Sequence, residues 1–371
     1  TYSSPFGQPP VAALGRYGPV DWSSMSPGSL SWWSPEAHAR KRGYLAARGA
    51  VKSRIRSWFD GEGFTETECG QLQRSPGNEA HLHAFETAYV AENGTQTPLY
   101  LHTSPEFAMK KLLAAGETRI FDFARAFRNR ETGVRHAPEF TMLEWYRTAV
   151  PIEAVMADAA HLARLAAAGA GTQSLLWKGA ACDPFAEPEY LTLVEAFARH
   201  AGIDLGPLLI DAAGLASAAR GAGIETQPGA SWTDVFSAVL VTLIEPKLGQ
   251  GRLTFLHRYP VSEAALSRPA PDDPRFAERF ELYACGVELA NGYRELTDGV
   301  LLRQRQEQEM DLKQAVYGER YPLDEDFISA VAAMPEASGV ALGFDRLVML
   351  ATGAPEISDV LWTPVPLERR P

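Results

Sequence analysis

The chain has 371 residues, 46% apolar and 22% charged, enough to build a globular core and two or three units of roughly 150 residues each. A net charge of −11 excludes a protein that coats nucleic acid by bulk charge and leaves room only for a local basic site. No apolar run approaches the ~20 residues of a membrane helix, and no basic start with an apolar run opens the first thirty residues. The three cysteines, Cys69, Cys182 and Cys285, form no CxxC pair, which argues against a disulfide framework or a zinc ribbon. A cytoplasmic enzyme with no membrane partner is expected.

Residues 1–35 are rich in Pro, Gly, Ser and Trp and read as an irregular N-terminal arm, with Trp22, Trp32 and Trp33 packing onto the body formed by residues 36–371. From Glu36 to Phe59 the spacing of Val51, Ile55, Trp58 and Phe59 predicts a helix. Its basic residues Arg40, Lys41, Arg42, Arg48, Lys52, Arg54 and Arg56 read as a solvated face that could dock an acidic partner. His81 and His83 would share one face of a strand, a metal pair lacking a third ligand nearby. A helix is predicted over 105–115, with Ser104 as cap, Pro105 at its first position and Gly116 at its end. Strand-like runs at 97–101, 119–127, 138–147, 253–256, 280–290 and 338–344 do not alternate with crossover helices. The pair 119–127 and 138–147 is joined by a single polar loop, as antiparallel neighbours are. Residues 151–250 read as a mainly helical insertion, with Ile152, Val155, Met156, Ala159 and Leu162 at helical spacing. The expected class is α+β: an antiparallel sheet flanked by helices.

No GxGxxG follows a strand and no GxxxxGK[ST] occurs, so a nucleotide must be held by side chains. Arg128, Arg130 and Arg135 sit in the loop between two predicted strands, where guanidinium forks suit phosphate oxygens. An extended 138–147 places Phe140, Met142, Glu144 and Tyr146 on one face, offering an aromatic plane, a carboxylate and a phenol. Adenine and a cationic substrate group could lie there side by side; a solvated loop above an ordinary amphipathic strand is the alternative. If Cys285-Gly286 is a two-residue turn, Tyr283 faces Glu288, and Glu281 and Glu288 share a face. Two carboxylates so placed suit Mg²⁺ shared with substrate phosphates, the alternative being scattered surface glutamates. Beyond a turn at Asn291-Gly292, the residues Asn291, Tyr293 and Glu295 share a face. In Ser338–Leu350 the small residues allow close ligand approach, and Gly343 marks a strand-to-helix junction. Arg346 at the helix start suits a bound anion, or else pairs with Asp345 or Glu356.

Together, Phe127–Tyr146, Glu281–Leu296 and Ser338–Arg346 resemble motifs 2 and 3 of the class II aminoacyl-tRNA synthetases, within the lysyl-tRNA synthetase branch. With Thr103-Ser104-Pro105-Glu106 they are similar, more closely still, to the paralogue family of elongation factor P (R)-β-lysine ligases, from about residue 40 to the C-terminus. The resemblance implies a homodimer that uses ATP and Mg²⁺ to activate lysine or (R)-β-lysine as an adenylate, with elongation factor P as acceptor. It implies Arg128, Arg346 and Glu288 as catalytic residues, with Asn129, Arg130, His136, Ala137, Phe140, Leu289 and Gly343 completing the ATP site and Glu281 joining Glu288 on Mg²⁺. For the amino acid it implies Ser104, Pro105 and Glu106 at the amino group and Asn291 with Arg128 at the carboxylate. Glu144, Tyr146 and Glu295 would enclose the distal ammonium, with Tyr293 and Ala341 in the pocket wall. Ala341 stands where lysyl-tRNA synthetases carry Gly. Those synthetases carry an N-terminal anticodon barrel where this chain has only the arm, so tRNA is not the expected acceptor. Transfer to tRNA and a non-catalytic binding module are the competing readings. The departures are Arg130 for Glu and Ala137 for Asn in the ATP loop, Gly70 for the motif 1 Pro, and Arg294 for a small residue or His near the pocket.

Overall fold

The structure is a computed structural model that describes residues 32–227 and 229–365. The chain divides into two compact units, residues 1–40 and 41–371. In the first, the Ser34 hydroxyl accepts a hydrogen bond from the Ala37 N–H at 3.2 Å, capping helix α1 (Pro35–Gly61). Trp32 and Trp33 are exposed, and Trp22 lies outside the described residues.

The second unit is built on an eight-stranded sheet: β1 (Thr65–Glu66), β2 (Arg119–Phe127), β3 (Glu139–Thr148), β4 (Glu189–Thr192), β5 (Thr254–His257), β6 (Arg279–Ala284), β7 (Val287–Arg294) and β8 (Ala337–Gly343). Their spatial order is β1-β2-β3-β8-β7-β6-β5-β4. Only the outermost pairs, β1–β2 and β5–β4, are parallel; every other pairing is antiparallel. The α+β sheet expected from the sequence is the one observed.

Alternation along β3 sorts its two faces. Leu143 and Trp145 lie in the main core with Val51, Ile55 and Phe59 of α1. Helices α2 (Glu106–Ala114) and α3 (Ile152–Ala170) come next in the chain, and α3 joins that same core through Val155, Ala159 and Leu162. After α4 (Gly299–Tyr317) and α5 (Glu325–Ala333), α6 (Phe344–Thr352) completes the layer with Leu347, Val348 and Leu350. On the other face α2 and α5 meet through stacked Phe107 and Phe327 rings, 3.7 Å apart, in a cluster that includes Tyr146 and Leu296. The helical segment after α3 forms its own apolar core against Leu256, Tyr259 and Tyr283, while β4, within that segment, pairs with β5. Among the described residues, no helix is long and apolar enough to cross a membrane, and all three cysteines are free thiols.

Three local expectations change. First, Asn291-Gly292 is not a turn, because β7 runs unbroken through it. Gly292 is instead a slot: a Cβ there would come within 2.5 Å of the Phe280 ring opposite. Second, the basic face of α1 is not uniformly solvated. Arg48 is buried and ion-paired to Asp345, and its guanidinium donates to Thr141 Oγ1 at 2.9 Å, whereas Arg42 and Arg54 are exposed. Third, His81 and His83 lie outside any strand. His81 Nδ1 is 2.9 Å from the Tyr317 hydroxyl and His83 Nδ1 is 2.9 Å from Glu319 Oε2, so α4 and the segment after it hold both rings.

Candidate active site

The site begins with the β6–β7 turn. Cys285 and Gly286 have φ of 54° and 71°, the pair of positive values a tight primed hairpin requires. Tyr283 therefore faces Glu288, and the register then shifts so that Leu282 faces Ala290, leaving Leu289 as a bulge. The bulge puts Glu288 and Asn291, three residues apart, on the same face. Across the sheet, Asp122, Glu144, Ala341, Asn291 and Glu281 pair successively over five strands. The next row runs Tyr146, Gly339, Tyr293 and Arg279. Directly paired residues project to one side, so residues far apart in sequence share one floor.

Above this floor opens a cleft of about 970 Å³, counting space open to solvent. At one end Phe140, His136 and Ala137 line it, with Leu289, Gly343 and Arg346 opposite. The Arg346 guanidinium donates to the Glu288 backbone carbonyl at 3.1 Å and to His136 Nε2 at 2.7 Å, and lies 3.3 Å from Glu288 Oε2. Burial first, and then the positive charge of Arg346, hold His136 down to about 4, so at neutral pH the ring is uncharged and accepts from the arginine. Arg346 is thus not paired with Asp345 or Glu356: Asp345 is taken by Arg48 and by the Thr141 N–H at 2.7 Å. Arg128 lies over the Phe140 ring, 5.3 Å from its centroid. Arg135 also lines the cleft.

Two residues assigned to the ATP site do not line the cleft. Arg130, at φ 67°, ion-pairs with Glu319, and the Asn129 side-chain oxygen accepts from the Arg130 N–H at 2.9 Å. The sequence could not show this, because Glu319 is remote in the chain. Arg294 is also turned away: it is buried between the Val150 carbonyl and Glu336.

Ser104, Glu106, Asn291, Tyr293 and Ala341 line the other end of the cleft. Ser104 couples a helix start to the floor, since its hydroxyl accepts from the Glu106 N–H at 3.1 Å and donates to Glu144 Oε2 at 2.7 Å. Pro105 occupies the cap position of α2, one residue before the helix. Glu144 also accepts from the Tyr146 hydroxyl at 2.5 Å, and burial, followed by the charge of Glu106, pushes its carboxyl up to about 8. Glu295 is likewise buried and raised to about 7, with burial the main cause. Sequence reading missed its partner: Lys110, fully buried, lies 2.5 Å from Glu106 Oε1 and 2.6 Å from Glu295 Oε2. The i, i+4 spacing of Glu106 and Lys110 was visible, but nothing in it signalled a buried ammonium.

Glu281 Oε2 accepts from the Tyr259 and Tyr283 hydroxyls, both at 2.6 Å, and Oε1 pairs with Arg279 at 2.5 Å. Three of about four lone-pair positions are filled, leaving one. A third carboxylate, Glu245, faces Glu281 and Glu288, and is raised to about 7 by burial and then by their charges. Among the described residues no group of three or more His, Cys, Asp or Glu is placed to hold a metal. Mg²⁺ needs only one or two carboxylates when phosphates supply the rest, and this hard-oxygen set fits it.

The sequence matches the family of class II tRNA synthetases (D, K and N) over residues 37–365. It is similar to the elongation factor P–(R)-β-lysine ligase of Erwinia tasmaniensis, 39% identical over 333 residues that cover 89% of this chain and 96% of the relative. Proteins of the same name from Sodalis glossinidius and Salmonella dublin are also 39% identical, over 337 and 334 residues, with the same coverage. A match of that extent, on a mostly antiparallel eight-stranded sheet with helices on both faces, has one meaning: the chain belongs to the class II tRNA synthetase family.

Proposed function

We propose that the protein activates lysine or (R)-β-lysine with ATP and transfers it to a lysine side chain of elongation factor P. The relatives carry that name, and one observation from the site supports the reading most. Glu106 and the arginines Arg128, Arg135 and Arg346 line the same cleft, and the buried carboxylates Glu144 and Glu295 lie behind its substrate end.

The substrate carboxylate attacks the α-phosphorus of ATP, forming a C–O–P linkage and releasing pyrophosphate. The neutral ε-amine of the acceptor then attacks the adenylate carbonyl, forms an amide and releases AMP; its proton passes to solvent. No nucleophile of the protein takes part. Arg128 and Arg346 hold phosphate charge, Phe140 and neutral His136 border the base and phosphates, and Glu288 fixes Arg346. Leu289, Gly343 and Ala137 shape that end. Ser104 and Glu106 receive the amino group, Asn291 and Arg128 the carboxylate, and Glu144, Tyr146 and Glu295 the distal ammonium, with Tyr293 and Ala341 as wall. Glu281 and Glu288 would hold Mg²⁺, which neutralises phosphate charge when bound. The enzyme acts in the cytoplasm as a homodimer, docking its acceptor through exposed cations of α1 such as Arg42 and Arg54.

The test incubates enzyme, ATP, labelled (R)-β-lysine, elongation factor P and tRNA, and follows the label. Label on the protein supports the proposal; label on tRNA alone overturns the acceptor. Arg128→Ala should lower lysine-dependent pyrophosphate exchange at least ~10²-fold.

A further inference from the structure

Glu106 lines the substrate end of the cleft, and behind it lie the carboxylates Glu144 and Glu295 and the ammonium of Lys110. Lys110, Glu144 and Glu295 are each at most 2% exposed, so water screens none of them. Of the other polar groups, Ser104 and Tyr146 face Glu144 as neutral hydroxyls, Arg294 is paired with Glu336, Glu79 lines the cleft with Arg128, and Asp122, opposite Glu144 across β2–β3, accepts from the Cys69 N–H at 2.9 Å. Once all three carboxylates are ionised, as a dicationic occupant makes them, one ammonium leaves two of their negative charges unmatched. Neither oxygen of Glu295 accepts a well-directed hydrogen bond despite the short contact with Lys110, and Glu144 has only hydroxyl donors. Buried charges are costly unless paired, so such a pocket selects its occupant by charge number as well as by shape.

We propose that Lys110 is a specificity-determining residue: as a built-in counter-ion it cancels one of three carboxylates, two of them buried. The remainder matches the two ammonium groups of a lysine-type amino acid. This inference rests on the proposed function and deepens it. It makes Lys110 part of the substrate count, beyond a helix anchor. Removing Lys110 leaves the pocket one charge too negative, and neutralising Glu295 leaves it one too positive. Doing both restores the balance.

The experiment compares Lys110→Met, Glu295→Gln and the double variant with the wild type in lysine-dependent pyrophosphate exchange. Each single variant should lose about tenfold or more in kcat/KM for lysine, mainly through KM, with the KM for ATP nearly unchanged. The double variant should recover most of the loss and exceed Glu295→Gln. Losses that add, or a double variant below Glu295→Gln, would overturn the proposal, because a purely structural lysine gives that result. If Lys110→Met does not fold, the comparison of Glu295→Gln with the double variant decides alone. A wild type without lysine-dependent exchange would refute the function and not the count. The count would then be read from thermal stabilisation of the four proteins by 1,5-diaminopentane. Stabilisation of the wild type and the double variant above both single variants supports it, and any other order overturns it.

Discussion

Replacing Arg48 by Met keeps the aliphatic stem and removes the guanidinium that ties α1 to the site. Arg48 donates to Asp345 and, at 2.9 Å, to Thr141 Oγ1, and it lies 4.8 Å from the Phe344 ring centroid. Asp345 is 1% exposed, so the substitution strands a buried carboxylate that among the described residues keeps a hydrogen bond from the Thr141 N–H at 2.7 Å. Breaking a buried pair from one side costs about 3–5 kcal/mol. At about 2 °C per kcal/mol for a long chain, the melting temperature should fall by roughly 6–10 °C. Arg346 directly follows Asp345, so the KM for ATP should rise as well. Urea unfolding at pH 7 measures the first effect, and pyrophosphate exchange against ATP the second. Arg48→Met/Asp345→Asn, which removes both charges, should regain at least half of the stability. Arg54→Ala, on the exposed part of the same helix, should stay within about 0.5 kcal/mol of wild type. A loss below about 1 kcal/mol for Arg48→Met, the size expected of a solvated pair, would refute the buried role.

Glu144, raised to about 8 by burial and the charge of Glu106, is protonated at pH 7 in the free enzyme, so lysine binding should release a proton. Calorimetry in buffers of different ionisation enthalpy would detect the release, which should vanish in Glu144→Gln; identical heats in the wild type would contradict it. Because the folded value exceeds the ordinary 4.5, this group's stabilising contribution is complete below pH 4.5 and is lost as pH rises through about 8. The urea midpoint should therefore decline over that range less steeply in Glu144→Gln. His136 runs the other way: with a folded value near 4 against 6.5 unfolded, the unfolded chain binds more protons between them. Its contribution should thus fall as pH drops from 6.5 to 4, and its ring resonances should stay those of a neutral imidazole at pH 5.5. Gly339→Ala puts a Cβ within 2.3 Å of the Tyr146 ring and 2.6 Å of Glu295 Oε1. That should cost about 1–3 kcal/mol in urea and raise the KM for lysine more than that for ATP.

Much of the site was legible because strands alternate and hairpin turns fix register. Phe140, Met142, Glu144 and Tyr146 could be assigned to one face by counting, and Cys285-Gly286 fixed Tyr283 opposite Glu288. Local chemistry also marked the start of α2 at Ser104-Pro105 and the junction at Gly343 before Arg346. Gly292 misled because glycine signals a turn and a packing slot equally, and only the Phe280 ring across the ladder distinguishes them. Arg48 and Arg130 misled for a related reason. Arg48 read as solvated and Arg130 as free to hold phosphate because their partners, Asp345 and Glu319, lie 297 and 189 positions away. The five-strand row from Asp122 to Glu281 was likewise beyond periodicity, which fixes the face of a residue within a strand but not which strands are neighbours. Sequence thus determined the central strands, their faces and the kinds of side chain offered to a ligand, but not the short outer strands at 65–66 and 189–192. The tertiary structure decided which of them meet: strand order assembled the floor, and burial turned Lys110 and three glutamates into one coupled set of charges. The reason is physical. Periodicity is local to an element, whereas the energy of a charge depends on everything packed around it.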